Sequence, residues 1–147
     1  MSPRDKRRPV LGAKVSADQV PRRKVAPAPP PAGTLVVQFG RFDVDGPWCL
    51  SKITPEDHRN LLTRIGEIET MTVQQVFGTG NTGTDYEVAK MPTPVALRRL
   101  TELDIEDQER ICQLRITKQQ RLFGIRHDER FYALWWDPLH EIWPTNK

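Results

Sequence analysis

The sequence has little that would take it out of the cell interior. No apolar run approaches the ~20 residues that a membrane-spanning helix needs. The first residues, Met1-Ser2-Pro3-Arg4-Asp5-Lys6, are charged and then give way to prolines, without the apolar core of a secretory signal. There are only 2 cysteines. Cys49 and Cys112 stand in no metal-ligand spacing, and each has apolar neighbours (Trp48 and Leu50; Ile111 and Leu114), the setting of a small buried thiol. A cytoplasmic location is expected. Histidine is scarce too, and His58, His127 and His140 lie too far apart to form a helical or hairpin ligand pair, which argues against a metal centre. Neither Ser51 nor Cys49 has a sequence neighbour able to act as a base, so no nucleophile is expected.

The charge total of +3 hides an uneven distribution. Residues 1–33 carry eight cations against Asp5 and Asp18, a net of +6. The other residues hold 14 basic and 17 acidic side chains, a net of −3. The basic pI of 9.1 therefore describes the N-terminal segment and not the remainder. That segment is poor in apolar residues and ends in Val25-Ala26-Pro27-Ala28-Pro29-Pro30-Pro31-Ala32-Gly33, which supports neither helix nor ladder. Residues 1–33 are expected to form a disordered, basic, proline-rich tail, a solubilising linker or a polybasic arm, and residues 34–147 a single domain.

In that domain Leu35 to Val44 is β-branched and aromatic and is closed by Asp45-Gly46-Pro47, which predicts a strand and a turn. Thr54-Pro55-Glu56-Asp57 predicts a capped helix start, with Leu61, Leu62, Ile65 and Ile68 at helical spacing. Thr72 to Phe77 suggests a short second helix. Thr93-Pro94 followed by Leu97, Leu100 and Leu103 predicts a third. Ile111–Ile116, Arg121–Arg126 and Phe131–Trp136 are short β-type runs whose connections force antiparallel neighbours. The fold class expected is α+β: one N-terminal strand, two to three helices, then a three-stranded antiparallel meander.

Candidate chemistry is sparse. Gly78-Thr79-Gly80-Asn81-Thr82-Gly83 has the spacing of a dinucleotide-binding loop, but a helix precedes it and carboxylates follow, so no nucleotide cofactor is expected. His58 and His127 are expected on the surface. His140, just after the last strand, is either a hydrogen-bonded loop residue or a proton carrier. Trp135 and Trp136 point to opposite faces of a strand, so both enter a core only if both faces are covered. Otherwise one lines a groove or meets a partner. Arg115, Lys118, Arg121, Arg126 and Arg130 are interleaved with this aromatic cluster. That composition suits RNA, whose phosphates are neutralised while its bases stack, and equally an ordinary sheet facing a protein. Arg121 shares strand parity with Phe123 and Ile125, which predicts partial sequestration of its head group.

The three C-terminal runs, Ile111-Cys112-Gln113-Leu114-Arg115-Ile116, Gln120-Arg121-Leu122-Phe123-Gly124-Ile125 and Phe131-Tyr132-Ala133-Leu134-Trp135-Trp136, followed by His140-Glu141-Ile142-Trp143, resemble the closing meander of the RelE/ParE superfamily of toxins. The resemblance is loose over 34–147 and close over 111–143. It implies a metal-independent mRNA endoribonuclease or translation inhibitor, without cofactor, held in check by an antitoxin protein and acting on mRNA or the ribosome. By motif position it implies Arg121 as the phosphate-stabilising residue, Arg115 as its companion and His140 as the proton carrier. Lys118, Arg126, Trp135 and Trp136 are the accompanying candidates for RNA contact. The alternative is a non-catalytic protein- or RNA-binding module that uses the aromatic C-terminal sheet.

Overall fold

Threonine followed by proline opens both α-helices. In the computed structural model, which describes residues 33–78 and 80–144, α1 spans Pro55–Ile68 and α2 spans Pro94–Glu102. The expected tail lies outside the described residues except for Gly33. The Thr54 hydroxyl accepts from the Asp57 amide at 3.1 Å, and Glu56 and Asp57 lie at the positive end of α1. Thr93 does not cap its helix. Its hydroxyl donates to the Ile142 carbonyl at 2.5 Å, so the expected cap instead ties down the C-terminal segment. The apolar stripes also differ at single positions. Leu61, Ile65 and Ile68 are buried but Leu62 faces out, and α2 buries Ala96 and Leu100 while Leu97 is exposed. The expected second helix is a π-helical turn over Gln74–Gly78.

The sheet has five strands, two more than the meander and one more than expected in all. β1 is Val36–Gln38, β2 is Gly83–Glu87, β3 is Arg110–Arg115, β4 is Arg121–His127 and β5 is Arg130–Asp137. Their order is β1-β5-β4-β3-β2, with β1 parallel to β5 and all other pairs antiparallel. The three C-terminal runs form the consecutive antiparallel strands β3, β4 and β5, but as part of a five-stranded mixed sheet and not in the layout expected. β1 is much shorter than its apolar run, because the chain turns at Phe39-Gly40-Arg41-Phe42, where the Phe42 amide reaches back to the Phe39 carbonyl. It returns to β5 through Asp43, whose amide donates to the Leu134 carbonyl, and through the Trp48 carbonyl, which accepts from the Trp136 amide. β2 emerges from a glycine-rich stretch read as loop, and its sequence Gly-Thr-Asp-Tyr-Glu has weak strand propensity. Pairing with β3 along its whole length supplies what the local sequence lacks.

Both faces of the sheet are covered. On one face α1 joins Cys112, Leu114, Leu122, Phe131, Ala133 and Trp136 in a core. On the other, α2, Trp48 and Ile142 enclose Ile111, Phe123, Leu134 and Trp135. A β-bulge between Phe123 and Gly124 leaves Leu134 as an extra residue opposite the β4 ladder, so Leu134 and Trp135 both enter the second core. Trp135 is fully buried and Trp136 is 3% exposed. Neither lines a groove, and the expected role in stacking on RNA bases or meeting a partner is corrected accordingly.

Trp135 is held at its polar tip. Its indole N–H donates to the Asp43 carboxylate at 2.9 Å, and Arg99 of α2 grips the same carboxylate with two hydrogen bonds of 2.6 and 2.8 Å. Burial alone pushes the Asp43 carboxyl up, but the bonds from Arg99 and Trp135 outweigh it and leave the group below the ordinary carboxylate value.

Two substitutions test these features by urea denaturation. Asp43→Ala leaves the Trp135 indole and Arg99 without their acceptor and is expected to cost about 3 kcal/mol. Gly124→Ala places a methyl group against the Tyr132 carbonyl and the Phe131 ring at the bulge. The expected loss there is about 1–3 kcal/mol, from overpacking against backbone that has nowhere to move. A loss below about 0.5 kcal/mol for either would contradict the account given of that site.

Candidate functional site

Cross-strand register lines up three ionisable residues in one row. Arg115 of β3 lies opposite Arg121 of β4, which lies opposite Asp137 of β5. Just past β5 the chain turns sharply, and both Asp137 carboxylate oxygens accept backbone N–H bonds, from Glu141 at 3.0 Å and Ile142 at 2.9 Å. His140 sits inside that turn with φ of 58°. A non-glycine residue rarely adopts this conformation, and the Asp137 clasp stabilises it. The result is a cleft of about 580 Å³ lined by Arg115, Lys118, Gln119, Arg121, Leu139, His140 and Pro144. Four of the residues singled out from the sequence converge there, and no carboxylate is among the lining residues.

Their surroundings differ. Lys118 is exposed and Arg115 half-buried, and neither forms an ion pair within the described residues. Arg121 is 6% exposed. Its Nη1 donates to the carbonyls of Thr117, Gln120 and Lys118 at 2.9, 3.0 and 3.3 Å, which knits the β3–β4 loop into one shape. Its Nε is buried and has no partner among the described residues. Burial and the neighbouring Arg115 lower its pKa, while Tyr86 and Asp137 oppose that shift. Arg121, expected as the phosphate-stabilising side chain, thus lies at the cleft with one of its three guanidinium nitrogens, Nη1, bonded to the backbone of the loop that carries Lys118 and Gln119.

The His140 Nε2 is likewise buried without a partner among the described residues. Burial, followed by the charge of Arg121, holds the imidazole below its ordinary pKa, against the pull of Asp137 and a hydrogen bond to the Trp143 backbone. Asp137 itself, wholly buried, is pushed up by burial, with the Glu141 and Ile142 amides pulling the other way. At neutral pH the row thus presents cationic guanidinium groups beside a neutral imidazole. Such an arrangement gives the cleft a positive potential.

Arg126 is not part of this cleft. It lies on the α1 face, over the Phe77 ring at 4.6 Å and 3.5 Å from the Asp85 carboxylate, apart from Arg115, Lys118 and Arg121. Asp85 also accepts from the Cys112 thiol, and burial together with that carboxylate pushes the thiol up to about 12, so Cys112 stays protonated. Cys49 is half-buried and paired with Ser51 at 3.0 Å. No group of three or more His, Cys, Asp and Glu side chains among the described residues could hold a metal ion. No described helix is long and apolar enough to cross a membrane.

Tyr86 was not anticipated beside this site. It stacks on Trp143 with ring centroids 4.1 Å apart, and burial raises its pKa while nearby Arg121 lowers it. Only recognition of β2 could have placed it there, and the strand has no alternating apolar pattern to betray it.

The depressed His140 sets a pH dependence. An imidazole held below its unfolded value of about 6.5 stabilises the fold fully above that pH, and the contribution is lost as pH falls through the folded value. The His140 contribution to the thermal midpoint is expected to be lost as pH falls below about 6.5. His140→Gln should flatten that limb, and an unchanged pH profile in the variant would exclude His140 as its source.

No family model matches this sequence, and no curated protein and no solved structure shows significant similarity to it.

Proposed function

We propose that the cleft binds an RNA phosphodiester and that the protein acts on RNA as a metal-independent endoribonuclease of the RelE/ParE toxin kind. The observation that carries this reading is the convergence of Arg115, Lys118, Arg121 and His140 in one open cleft with no acidic residue lining it. Arg115 and Lys118 neutralise the phosphate. Arg121 adds positive potential from beneath and keeps the loop in shape. His140, neutral at pH 7, takes the proton of the 2′-hydroxyl as that oxygen attacks phosphorus and the 5′-oxygen leaves. Charge that builds on the equatorial oxygens is stabilised by cations already in place. An antitoxin partner belongs to the same proposal.

A second reading, RNA binding without cleavage, is favoured by one feature: the His140 Nε2 that would take the proton is buried. Binding through exposed aromatics is not part of either reading, because both tryptophans are internal.

The test is a cleavage and binding assay on single-stranded RNA in EDTA, with growth followed on induced expression. Lys118→Ala and Arg115→Ala should each weaken binding and reduce the salt dependence by about one phosphate contact. His140→Gln should slow cleavage by about a hundredfold while leaving binding within a few-fold. Arg130→Ala, at the exposed start of β5, should change neither. Salt-dependent binding without any cleavage would select the second reading. Absence of both would end the RNA assignment.

A further inference from the structure

A second cleft opens on the same face of the sheet as the first, toward the opposite ends of β4 and β5. Its volume is about 250 Å³, and it is lined by Arg41, Leu103, Ile105, Gln108, Ile125, His127, Tyr132 and Leu134. Three separate chain segments build it. β4 and β5 contribute Ile125, His127, Tyr132 and the bulged Leu134, which is 4% exposed and forms the floor. The residues after α2 contribute Leu103 and Ile105, both only partly buried, on either side of Asp104 with its φ of 64°. The turn after β1 contributes Arg41, whose guanidinium lies over the Tyr132 ring at 4.4 Å. His127 meets the same ring edge-on at 6.0 Å.

The walls are aliphatic and the polar groups few: one guanidinium, one imidazole, one phenol and one carboxamide. None of the lining residues is acidic, and no carboxylate among the described residues forms an ion pair with Arg41. An apolar cavity with a few convergent polar groups is the usual form of a small-molecule site. At this volume it suits a small molecule and not a peptide or dinucleotide. A guanidinium already stacked on an aromatic ring is preorganised to receive a planar anion through two parallel N–H bonds. Leu103, Ile105 and Ile125 remain partly open to water at the place where an apolar body would cover them.

We infer that this second cleft, formed by Arg41, His127 and Tyr132 above Leu103, Ile105, Ile125 and Leu134, binds a small carboxylate with an aromatic or branched aliphatic body. The carboxylate meets Arg41, and the body fills the space between the residues after α2 and the sheet. The inference is independent of the RNA reading, since no residue is shared with the first cleft.

The test titrates 3-phenylpropionate and 4-methylpentanoate into the full chain, with isothermal calorimetry and backbone amide spectra as readouts. The uncharged 3-phenylpropionamide and uridine 5′-monophosphate are the comparison ligands. Saturable binding is expected, with the largest spectral changes at Ile105, Ile125, His127 and Leu134. The neutral amide should bind at least about tenfold more weakly, the size of effect that follows from loss of a charge-assisted hydrogen bond. Arg41→Ala should weaken carboxylate binding by about the same factor with no large change in thermal midpoint, since Arg41 is exposed. Ile125→Gln, a second variant that leaves the cation in place, should weaken both the carboxylates and the amide. Absence of saturable binding would overturn the inference, as would equal affinity for acid and amide. Preferential binding of the nucleotide at these residues, or spectral changes confined to Arg115 and Lys118, would also overturn it.

Discussion

A single buried carboxylate joins three parts of the fold that have no sequence proximity. Asp43, in the segment after β1, receives Arg99 from α2 and Trp135 from β5, while its own amide bonds to the Leu134 carbonyl. Removing a carboxylate from water is costly, and the cost is offset only when its lone pairs are filled. Here they are filled by a bidentate guanidinium and an indole, so the geometry of all three elements is constrained together. Gly46 belongs to the same constraint, because a Cβ there would collide with the Asp43 carboxylate and the Arg99 side chain. α2 can therefore sit on the sheet only in the arrangement that leaves Trp48, Trp135 and Leu100 packed beneath it.

The first cleft rests on the opposite situation, a buried cation without a matching anion. Arg121 lies across from Asp137 in the ladder, yet the Asp137 oxygens are committed to the turn that carries His140. Three carbonyl dipoles partly compensate the guanidinium, and Arg115 opposes it from the next strand. The cleft beside Arg115 and Lys118 opens next to this guanidinium and has no carboxylate among its lining residues, so its potential is positive.

Much of this was legible in the sequence, and the rest was hidden for identifiable reasons. The three closing strands stand out by composition and spacing, and the Thr-Pro pairs mark both helix starts. The sequestration of Arg121 follows from its parity with Phe123. Arg115, Lys118, Arg121 and His140 stand out in the sequence by charge and position, but only the tertiary structure places them at one cleft. β2 escaped because an edge strand built from Gly, Thr, Asp, Tyr and Glu takes its stability from its neighbour and not from its own residues. The tryptophans were ambiguous because burial of both depends on cover for both faces, a tertiary fact. Arg126 shares the charge of Arg115 but not its face, and the bulge at Phe123/Gly124 lies between its segment of β4 and Arg121.

Both openings on the α2 face follow from a mismatch of lengths. α2 has nine residues and is about 14 Å long at 1.5 Å per residue. β5 has eight residues and runs to about 26 Å at 3.3 Å per residue. In whatever direction it lies, such a helix cannot cover the strand from Tyr132 to Asp137 and beyond. On the other face α1, with fourteen residues, extends to about 21 Å and is supplemented by the π-helical turn. Trp48 and the Thr93-anchored C-terminal segment close the middle of the α2 face and leave its two ends open. At one end the opening is lined by Arg115, Lys118 and His140 over the buried Arg121, a polar and basic surface. At the other it is lined by Leu103, Ile105 and Ile125 with Arg41 and Tyr132 over the buried Leu134, a mostly apolar one. The short helix thus separates two clefts of different lining, and the Asp43 clasp that fixes α2 also fixes the boundary between them.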